Sequence, residues 1–283
     1  SKALLPSGTV VGATTTLADP VAMGMPLASL LAAIPAMTIS DGPGFSYLRQ
    51  TSRDNNAAPV TPGTEKPVSQ YGLIDVHDEL SVVAHVSEEV PRYWLEDDQK
   101  LQAFLDAELR YGLGVALEDQ IINGNGVDPN LTGLANTSGI VVQPFNTDPI
   151  RTARSAISAL MALGATNADG EPFYVLGLAD WEAIETASLD SGEYVLSRQG
   201  APVDAAARRL WGQPVVLAPS VAAGTGWLVD PSAVVLATDG ETRVEYNSAS
   251  GFSRNTVIAR CETRAALAVK RPAGIARLTL TAA

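Results

Sequence analysis

Residues 251–275 read GFSRNTVIARCETRAALAVKRPAGI, and apolar side chains alternate with charged or polar ones through the middle of this stretch. Side chains two positions apart share one face of a β-strand. Arg260, Glu262 and Arg264 therefore share a face, with the carboxylate between two guanidiniums. The other face carries the apolar side chains of Val257, Ala259, Cys261, Ala265, Leu267 and Val269. The stretch predicts a long strand with one buried face, and Pro272 ends it.

The composition of the chain allows a globular core. It has 283 residues with 46% hydrophobic content, enough for one large domain or two small ones. Aromatic residues make up only 6%, against 24 glycines and 18 prolines, which favours extended loops over a dense aromatic core. The 31 acidic and 19 basic residues give a net charge of −12, and the basic residues do not cluster. Such a surface repels phosphate, which argues against sequence-specific nucleic-acid binding.

Histidine and cysteine are too scarce for a recognisable metal centre. His77 and His85 are the only histidines and Cys261 the only cysteine, so no intrachain disulfide can form and no cluster has metal-ligand spacing. We expect Cys261 to be a buried, unreactive thiol, because it lies on the apolar face of the strand. No apolar run approaches the roughly 18 residues that span a bilayer. We expect a soluble protein with no cofactor and no membrane partner.

Two strand-like segments enclose a polar loop early in the chain. Residues 45–50 and 73–90 have strand composition, and residues 51–71 between them are polar and interrupted by proline and glycine. The pair predicts a long two-stranded hairpin with a mobile tip. An isolated hairpin is only marginally stable in water, so we expect another subunit to stabilise it. The alternative is an ordinary surface loop.

A leucine row predicts a long helix over residues 95–122. The row repeats every four positions, as one buried stripe of a helix requires. It consists of Leu101, Leu105, Leu109, Leu113, Leu117 and Ile121. At about 1.5 Å per residue the helix would be roughly 40 Å long. Gly112 and Gly114 lower the helix propensity in its middle, and we interpret them as sites of a bend or a close crossing.

The middle of the chain mixes helix and strand patterns. Helix patterns cover residues 148–163 and 178–188, and a polar loop covers residues 190–201. Strand patterns lie at residues 173–177, 215–218, 227–229, 233–237 and 242–246. This order predicts a compact α+β domain. Residues 1–19 lack such periodicity and predict an arm that becomes ordered on a neighbour.

No catalytic constellation is recognisable. Residues 123–128 are rich in asparagine and glycine and predict a helix end and a turn, since the alternative calcium loop would need more carboxylates. Glu118 and Asp119 would point about 100° apart on a helix and do not converge as a hydrolase pair. There is no Gly-x-Ser-x-Gly elbow and no dinucleotide-binding glycine motif. We expect no enzyme acting on an external substrate.

Several motifs occur in an order that is typical of one family. They are Glu65-Lys66-Pro67, residues 109–114, Glu118-Asp119, Asn123-Gly124-Asn125-Gly126, Gly133-Leu134, Leu210-Trp211-Gly212-Gln213-Pro214-Val215 and residues 251–275. Over nearly the whole chain this order resembles the major capsid proteins of tailed bacteriophages with the Hong Kong 97 fold. The succession of arm, hairpin, long helix, α+β domain and terminal strand is similar as well.

The resemblance implies an α+β subunit with a Hong Kong 97-like capsid fold. Such a subunit has an N-terminal arm, an extended E-loop hairpin, a long spine helix, and peripheral and axial domains. On this chain the N-terminal arm would be residues 1–44, the E-loop 45–90, the peripheral domain with the spine helix 91–147, the axial domain 148–246, and the return strand of the peripheral domain 247–283. The axial domain would gather around five- and six-fold centres, with the loop 190–201 nearest those axes.

The resemblance also implies the function of a major capsid protein. Copies would assemble in the host cytoplasm into pentamers and hexamers of an icosahedral virion capsid. The capsid would enclose double-stranded DNA without sequence specificity, and an acidic lining would let the DNA slide. A portal, a maturation protease and a possible decoration protein are the other expected partners. The start at Ser1 without methionine fits either a start trimmed for expression or removal of an upstream segment, and the resemblance favours the second. The alternative is an encapsulin-type nanocompartment around a cargo enzyme.

Some members of this family join neighbouring subunits by an isopeptide bond. The bond forms between an E-loop lysine and an asparagine before the terminal strand, and a glutamate assists. Lys66, Asn255 and Glu262 match these positions, and Lys66 is one of only four lysines. The chemistry needs a neutral amine, a carboxamide held against it and a proton acceptor, so Glu262 would be the catalytic base. The alternative is that Arg260 and Arg264 hold Glu262 in a structural ion pair.

Overall fold

The structure is a computed structural model of the chain. It describes residues 30–40, 42–97, 99–164, 171–187, 203–204, 208–240, 242–249 and 251–282. The arm predicted for residues 1–19 and the axial loop predicted for residues 190–201 lie outside the described residues.

The described residues form both α-helices and β-strands, and most of the strands follow one another in two runs. The helices are α1 (Leu30–Ala33), α2 (Arg92–Asp97), α3 (Gln99–Asn123), α4 (Pro149–Ala162) and α5 (Leu178–Glu185). The strands are β1 (Ala36–Thr38), β2 (Gly44–Asp54), β3 (Gln70–Glu79), β4 (Ser81–Val86), β5 (Val90–Pro91), β6 (Val141–Gln143), β7 (Phe173–Leu176), β8 (Val203–Asp204), β9 (Arg209–Leu210), β10 (Gln213–Leu217), β11 (Thr225–Val229), β12 (Val234–Thr238), β13 (Arg243–Asn247), β14 (Thr256–Val269) and β15 (Ile275–Thr279). This mixed content confirms the α+β class.

Strand β14 is the centre of one sheet, which we call the β14 sheet. Strands β12 and β13 pair with β14 one after the other along one edge, and β4 pairs with the opposite edge from Arg260 to Ala265. Helix α3 packs across one face of this sheet. The contact buries Leu105, Leu109, Leu113, Ala259 and Cys261. The predicted terminal strand is therefore confirmed as β14, and α3 packs against it.

The burial of β14 follows the predicted alternation only as far as Arg264. From residue 265 to residue 269 every side chain is buried. The base of the β2–β3 hairpin contributes to this change by covering Ala266, because Leu80 packs with Ala266 and Phe45 packs against them. A strand covered on both faces no longer needs alternating side chains.

Helix α3 confirms the predicted long helix, although it begins at Gln99 and the short helix α2 precedes it. The predicted close crossing is also found. A Cβ built at Gly112 would lie 3.0 Å from Cε1 of His85 on β4. The Nε2 of His85 donates to the carbonyl oxygen of Leu109 at 2.7 Å. Helix and strand meet this closely because Gly112 has no side chain.

Strands β2 and β3 form the long antiparallel hairpin that the sequence predicts, with one bulge in β2. The prediction of a single strand over residues 73–90 is wrong. Strand β3 ends at Glu79, and β4 and β5 pair with β14 instead. Buried Leu80 separates β3 from β4, because its side chain is anchored in the β14 sheet.

A second sheet, which we call the β7 sheet, has the strand order β6-β15-β11-β7-β10-β9-β8. Helices α4 and α5 bury apolar side chains against it. These include Ala153, Ala156, Leu160, Trp181 and Ile184. The carboxylate of Asp148 caps α4 by accepting from the amide of Arg151 at 2.7 Å. Both predicted helices are found, whereas the sequence pattern did not predict β6 or β15.

The sheets group the chain differently from the domain boundaries that the resemblance implies. Strands β12 and β13, from the segment 148–246, pair with β14. Strand β15, from the segment 247–283, pairs with β11 of the β7 sheet. Strand β4, from the segment 45–90, pairs with β14. The chain therefore crosses between the sheets repeatedly, and the domain boundaries stay a prediction.

Candidate assembly and cross-link surfaces

The β2–β3 hairpin has two unlike faces. Phe45, Tyr47 and Arg49 lie on its half-buried face, where the rings of Phe45 and Tyr47 stack with centroids 6.2 Å apart. The opposite face, which we call the outer face, carries large apolar side chains in solvent. These are Leu48, Tyr71 and Leu73, with exposed fractions of 67%, 61% and 61%. Exposed apolar side chains that share one face make this face a candidate contact site.

The hairpin tip, residues 55–69, carries Lys66 in an exposed position. The loop turns at Gly63, whose φ is +88°, and the amide of Thr64 donates to the carbonyl of Thr61 at 3.2 Å. The ammonium of Lys66 donates to the carbonyl of Thr64 at 3.3 Å. Lys66 thus lies beyond the paired strands, open to solvent and to another molecule.

Asn255 occupies a strained turn directly before β14. Its φ of 52° and ψ of 45° are in the left-handed region, which asparagine tolerates better than most residues. Its carbonyl accepts from the amide of Arg92 at 2.9 Å. The side chains of Arg254 and Thr256 on either side of it both donate to Glu89. The turn is therefore held in place on both sides, with the Asn255 side chain half-buried.

Glu262 lies in a charged network on the face of β14 that also carries Arg260 and Arg264. Its Oε2 is 3.2 Å from Nε of Arg260, and Arg260 also contacts Glu245 on β13 at 2.7 Å. Arg264 pairs with Asp239 at 4.0 Å. Of its two predicted guanidinium partners, Glu262 therefore pairs with Arg260. Arg264 pairs instead with Asp239, which lies in the turn after β12.

Lys66, Asn255 and Glu262 do not form one site within a single chain. None of the hydrogen bonds or ion pairs of the described residues joins any two of them. At about 3.3 Å per residue, the extended chain from Asn255 to Glu262 spans roughly 23 Å. A reaction among the three would therefore need side chains from different copies.

Glu118 has a structural role that the sequence pattern did not reveal. Its Oε1 accepts from the amide of Leu30 at 2.6 Å, at the start of α1. Leu30 is itself fully buried and packs in the same core as Leu117. Glu118 thus ties the first described residues of the chain to α3, whereas Asp119 is exposed, which is a further reason against a hydrolase pair. The sequence signal that could have indicated this role is the position of Glu118 directly after Leu117 of the leucine row.

Two titratable groups near the α3–β14 contact are unsuited to nucleophilic chemistry. Cys261 is fully buried, as predicted, and burial raises the pKa of its thiol. Burial and a hydrogen bond to Asp106 on α3 raise the pKa of the Tyr246 phenol. Both groups therefore stay protonated at neutral pH and act as packing or hydrogen-bonding groups. The described residues contain no group of three or more His, Cys, Asp or Glu side chains placed to hold a metal ion.

Comparison with protein families gives a match over most of the chain. Residues 15–280 match the model of the Phage capsid family. The chain belongs to the phage capsid family. A member of known identity, the major capsid protein of Enterobacteria phage HK97, is 28% identical over 240 residues, which are 84% of this chain and 61% of that protein. The chain thus spans about three fifths of the length of this curated relative.

Solved structures of low sequence identity show that the fold of this phage capsid family member is the predicted one. The capsid of a native GTA particle, computed with C5 symmetry, matches with a TM-score of 0.67 at 18% identity, over 94% of this chain and 96% of that chain. A structure from Mycobacterium phage Bobi matches with a TM-score of 0.70 at 15% identity, over 95% and 96%. The Hong Kong 97-like capsid fold is confirmed. Within the described residues, no helix is both long and apolar enough to cross a bilayer.

Proposed function

We propose that this phage capsid family member is a major capsid protein, and that many copies form the icosahedral shell of a tailed bacteriophage. The observation that carries the proposal is the β2–β3 hairpin. A two-stranded hairpin is marginal on its own, and this one exposes Leu48, Tyr71 and Leu73. Burial of apolar surface contributes about 25 cal/mol per Å². A neighbouring copy that covers the outer face would therefore stabilise both the hairpin and the shell.

Assembly into pentamers and hexamers is tested on the purified chain. We expect dispersed chains at low concentration and hollow polyhedral particles above a threshold concentration, because association is a mass-action process and closed symmetry ends the growth. Electron microscopy and sedimentation velocity measure the two states. A chain that stays monomeric at every concentration, and that shows the same hydrogen exchange throughout, would contradict the proposal.

The proposed content of the shell is double-stranded DNA, with portal, maturation protease and decoration protein as further partners during assembly in the host cytoplasm. A net charge of −12 fits a container that holds DNA without binding it tightly. Particles isolated from a producing host should contain DNA that is protected from nuclease. A protein cargo in place of DNA would instead support the nanocompartment alternative, and tight, salt-sensitive DNA binding by dispersed chains would contradict the sliding role.

We further propose a covalent step in which Lys66 of one copy attacks the side-chain amide of Asn255 of another. A C–N bond forms between Nζ of Lys66 and Cγ of Asn255, and ammonia leaves. Glu262 of a further copy accepts the proton that Lys66 must lose before it is nucleophilic. The exposure of Lys66 and the fixed turn at Asn255 support this assignment. The separation of Asn255 from Glu262 is the reason that separate copies are required.

Denaturing gels of mature particles test the covalent step. We expect ladders of linked chains from the wild type and a single monomer band from Lys66→Arg, which keeps the positive charge but lacks a nucleophilic amine. Asn255→Asp is the matched change at the second position, since aspartate also tolerates the left-handed backbone. Glu262→Gln should slow linking without preventing assembly. A monomer band from wild-type particles would contradict the step and leave the shell function intact.

A further inference from the structure

Arg49 joins the β2–β3 hairpin to the β14 sheet. Its Nη2 and Nε donate to the carbonyl oxygen of Val269, the last residue of β14, at 2.7 and 3.1 Å. We call this pair of hydrogen bonds the Arg49 clasp. Two donors of one rigid guanidinium on a single oxygen restrict direction as well as distance. Among the described residues, no other side-chain hydrogen bond links the hairpin to this sheet.

The carbonyl of Val269 needs such a donor. Val269 is 3% exposed and borders a cavity beside the hairpin, so only water in that cavity could compete with Arg49 for its carbonyl. Strand β4 covers this edge of β14 only as far as Ala265. In the described part of the chain no strand pairs with the same edge over residues 266–269. A buried carbonyl without a donor is unfavourable, and Arg49 supplies the hydrogen bonds that a further strand would otherwise give.

Arg49 is itself held by the hairpin. Its guanidinium lies over the ring of Tyr47, 5.7 Å from the centroid. Its Nη2 also donates to the hydroxyl of Tyr47 at 3.1 Å. Tyr47 in turn stacks on Phe45. These contacts hold the guanidinium against the half-buried face of the hairpin, so its hydrogen bonds to Val269 also restrain that face.

A gap separates the hairpin from the body of the subunit beside the clasp. The gap is a cavity of about 220 Å³. Tyr47 and Val76 line it from the hairpin side, and Asn136 and Leu267 line it from the body. Close packing does not fix the hairpin at this point, so the guanidinium spans the opening as a separate attachment.

We propose that Arg49 is a positioning residue that sets the angle at which the hairpin leaves the subunit. The hairpin is attached at its apolar base, where Phe45 packs beside Leu80, and again at Arg49, roughly 13 Å farther along β2. One attachment would let the hairpin swing, whereas two fix its direction. The clasp thereby aims the outer face at a second copy of the chain, so the proposal rests on the shell function proposed above.

Hydrogen exchange on dispersed chains tests the clasp without assembly. Arg49→Met removes the donors but keeps the aliphatic stem. Arg53→Met is the matched control, because Arg53 lies on the same strand and, among the described residues, its side chain donates to Gln50 of the hairpin itself. We expect amides of β2 and β3 to exchange about tenfold faster or more in Arg49→Met, as loss of a charged hydrogen bond implies. Arg49→Lys should recover part of the protection, and α3 should be unchanged.

The outcomes separate positioning from simple stability. Equal exchange in Arg49→Met and wild type, or equal acceleration by Arg53→Met, would overturn the clasp. Faster exchange that extends through α3 and the β7 sheet, or a chain that does not fold, would make Arg49 a general stability residue and also overturn it. In assembly, Arg49→Met should give fewer particles and a wider spread of diameters than Arg53→Met. Failure of the wild type to assemble would remove the shell function, while the exchange data would still decide the clasp.

Discussion

The α3–β14 contact and the β2–β3 hairpin are both long and apolar, but they are completed in different places. Helix α3 buries its leucine row against β14 within one chain, and Leu113 is 3% exposed. The hairpin leaves most of Leu48, Tyr71 and Leu73 in solvent. The first region has the features of a body that folds alone, and the second has an exposed apolar surface that the proposed neighbouring copy would cover. A shell subunit needs both, because its body must exist before assembly while its contacts form during assembly.

Shortening a side chain in the α3–β14 contact should have the largest effect on the single chain. Leu113→Ala removes buried methyl groups from the core that also contains Cys261. We expect the free energy of unfolding to fall by about 2–5 kcal/mol, measured by urea denaturation of dispersed chains. A loss below about 1 kcal/mol, in a variant with unchanged helix content, would show that α3 does not depend on β14 in the way the contrast requires.

The buried carboxylate of Glu118 should come next in size. Glu118→Ala leaves the amide of Leu30 without its acceptor, and we expect a loss of about 1–3 kcal/mol in the free energy of unfolding. Glu118→Gln is the matched control, because its side-chain oxygen can still accept. Exchange of the Leu30 amide should accelerate in the alanine variant and much less in the glutamine variant. Equal destabilisation by both variants would assign the effect to the lost charge instead of the hydrogen bond.

Periodicity was sufficient to predict the elements that are long and one-sided. The leucine row predicted α3, and the alternation of apolar and polar side chains up to Arg264 predicted β14, because each of these elements has one buried face. The pattern did not predict the structure where a strand is buried on both faces, or where one apolar stretch packs against two different parts of the fold. Residues 265–269 do not alternate between buried and exposed, and the hairpin base covers Ala266 among them. Leu80 divides residues 73–90, which the pattern predicts as one strand, into β3 and the strands that follow it. Strand β15 was not predicted although β11 and β12 have the same five-residue length, because Arg277 interrupts its apolar run.

The contacts that position the candidate surfaces could not be predicted, because they join residues far apart in the chain. The bond from Arg49 to Val269 and the bond from Leu30 to Glu118 have no local signature. The pairing of Arg264 with Asp239 depends on how β12 and β13 follow each other along β14. Lys66, Asn255 and Glu262 came from the family resemblance, and their role stays a prediction.

Tyr246 sharpens the contrast on the side of the body. Its hydroxyl donates to Asp106 and so joins β13 to α3. Tyr246→Phe should cost about 1 kcal/mol near neutral pH. Burial and the bond to Asp106 raise the phenol pKa in the folded chain, whereas an unfolded tyrosine ionises near about 10. The advantage of wild type over Tyr246→Phe should therefore be complete below that pH and shrink above it. Parallel urea titrations from neutral to alkaline pH measure this difference, and a constant gap would contradict the pKa shift.

The smallest effect on the single chain should come from the outer face of the hairpin. Leu73→Ser should change the free energy of unfolding by less than about 0.5 kcal/mol, because the side chain is mostly in solvent. It should raise the concentration needed for particles about tenfold or more, since each leucine buried between copies contributes about 1.5–3 kcal/mol. Val127→Ser is the matched control, because Val127 is also largely exposed but lies outside the hairpin. If Leu73→Ser destabilised the dispersed chain as Leu113→Ala does, the hairpin would belong to the single-chain core. If both serine variants weakened assembly equally, general apolarity instead of the hairpin would hold the copies together.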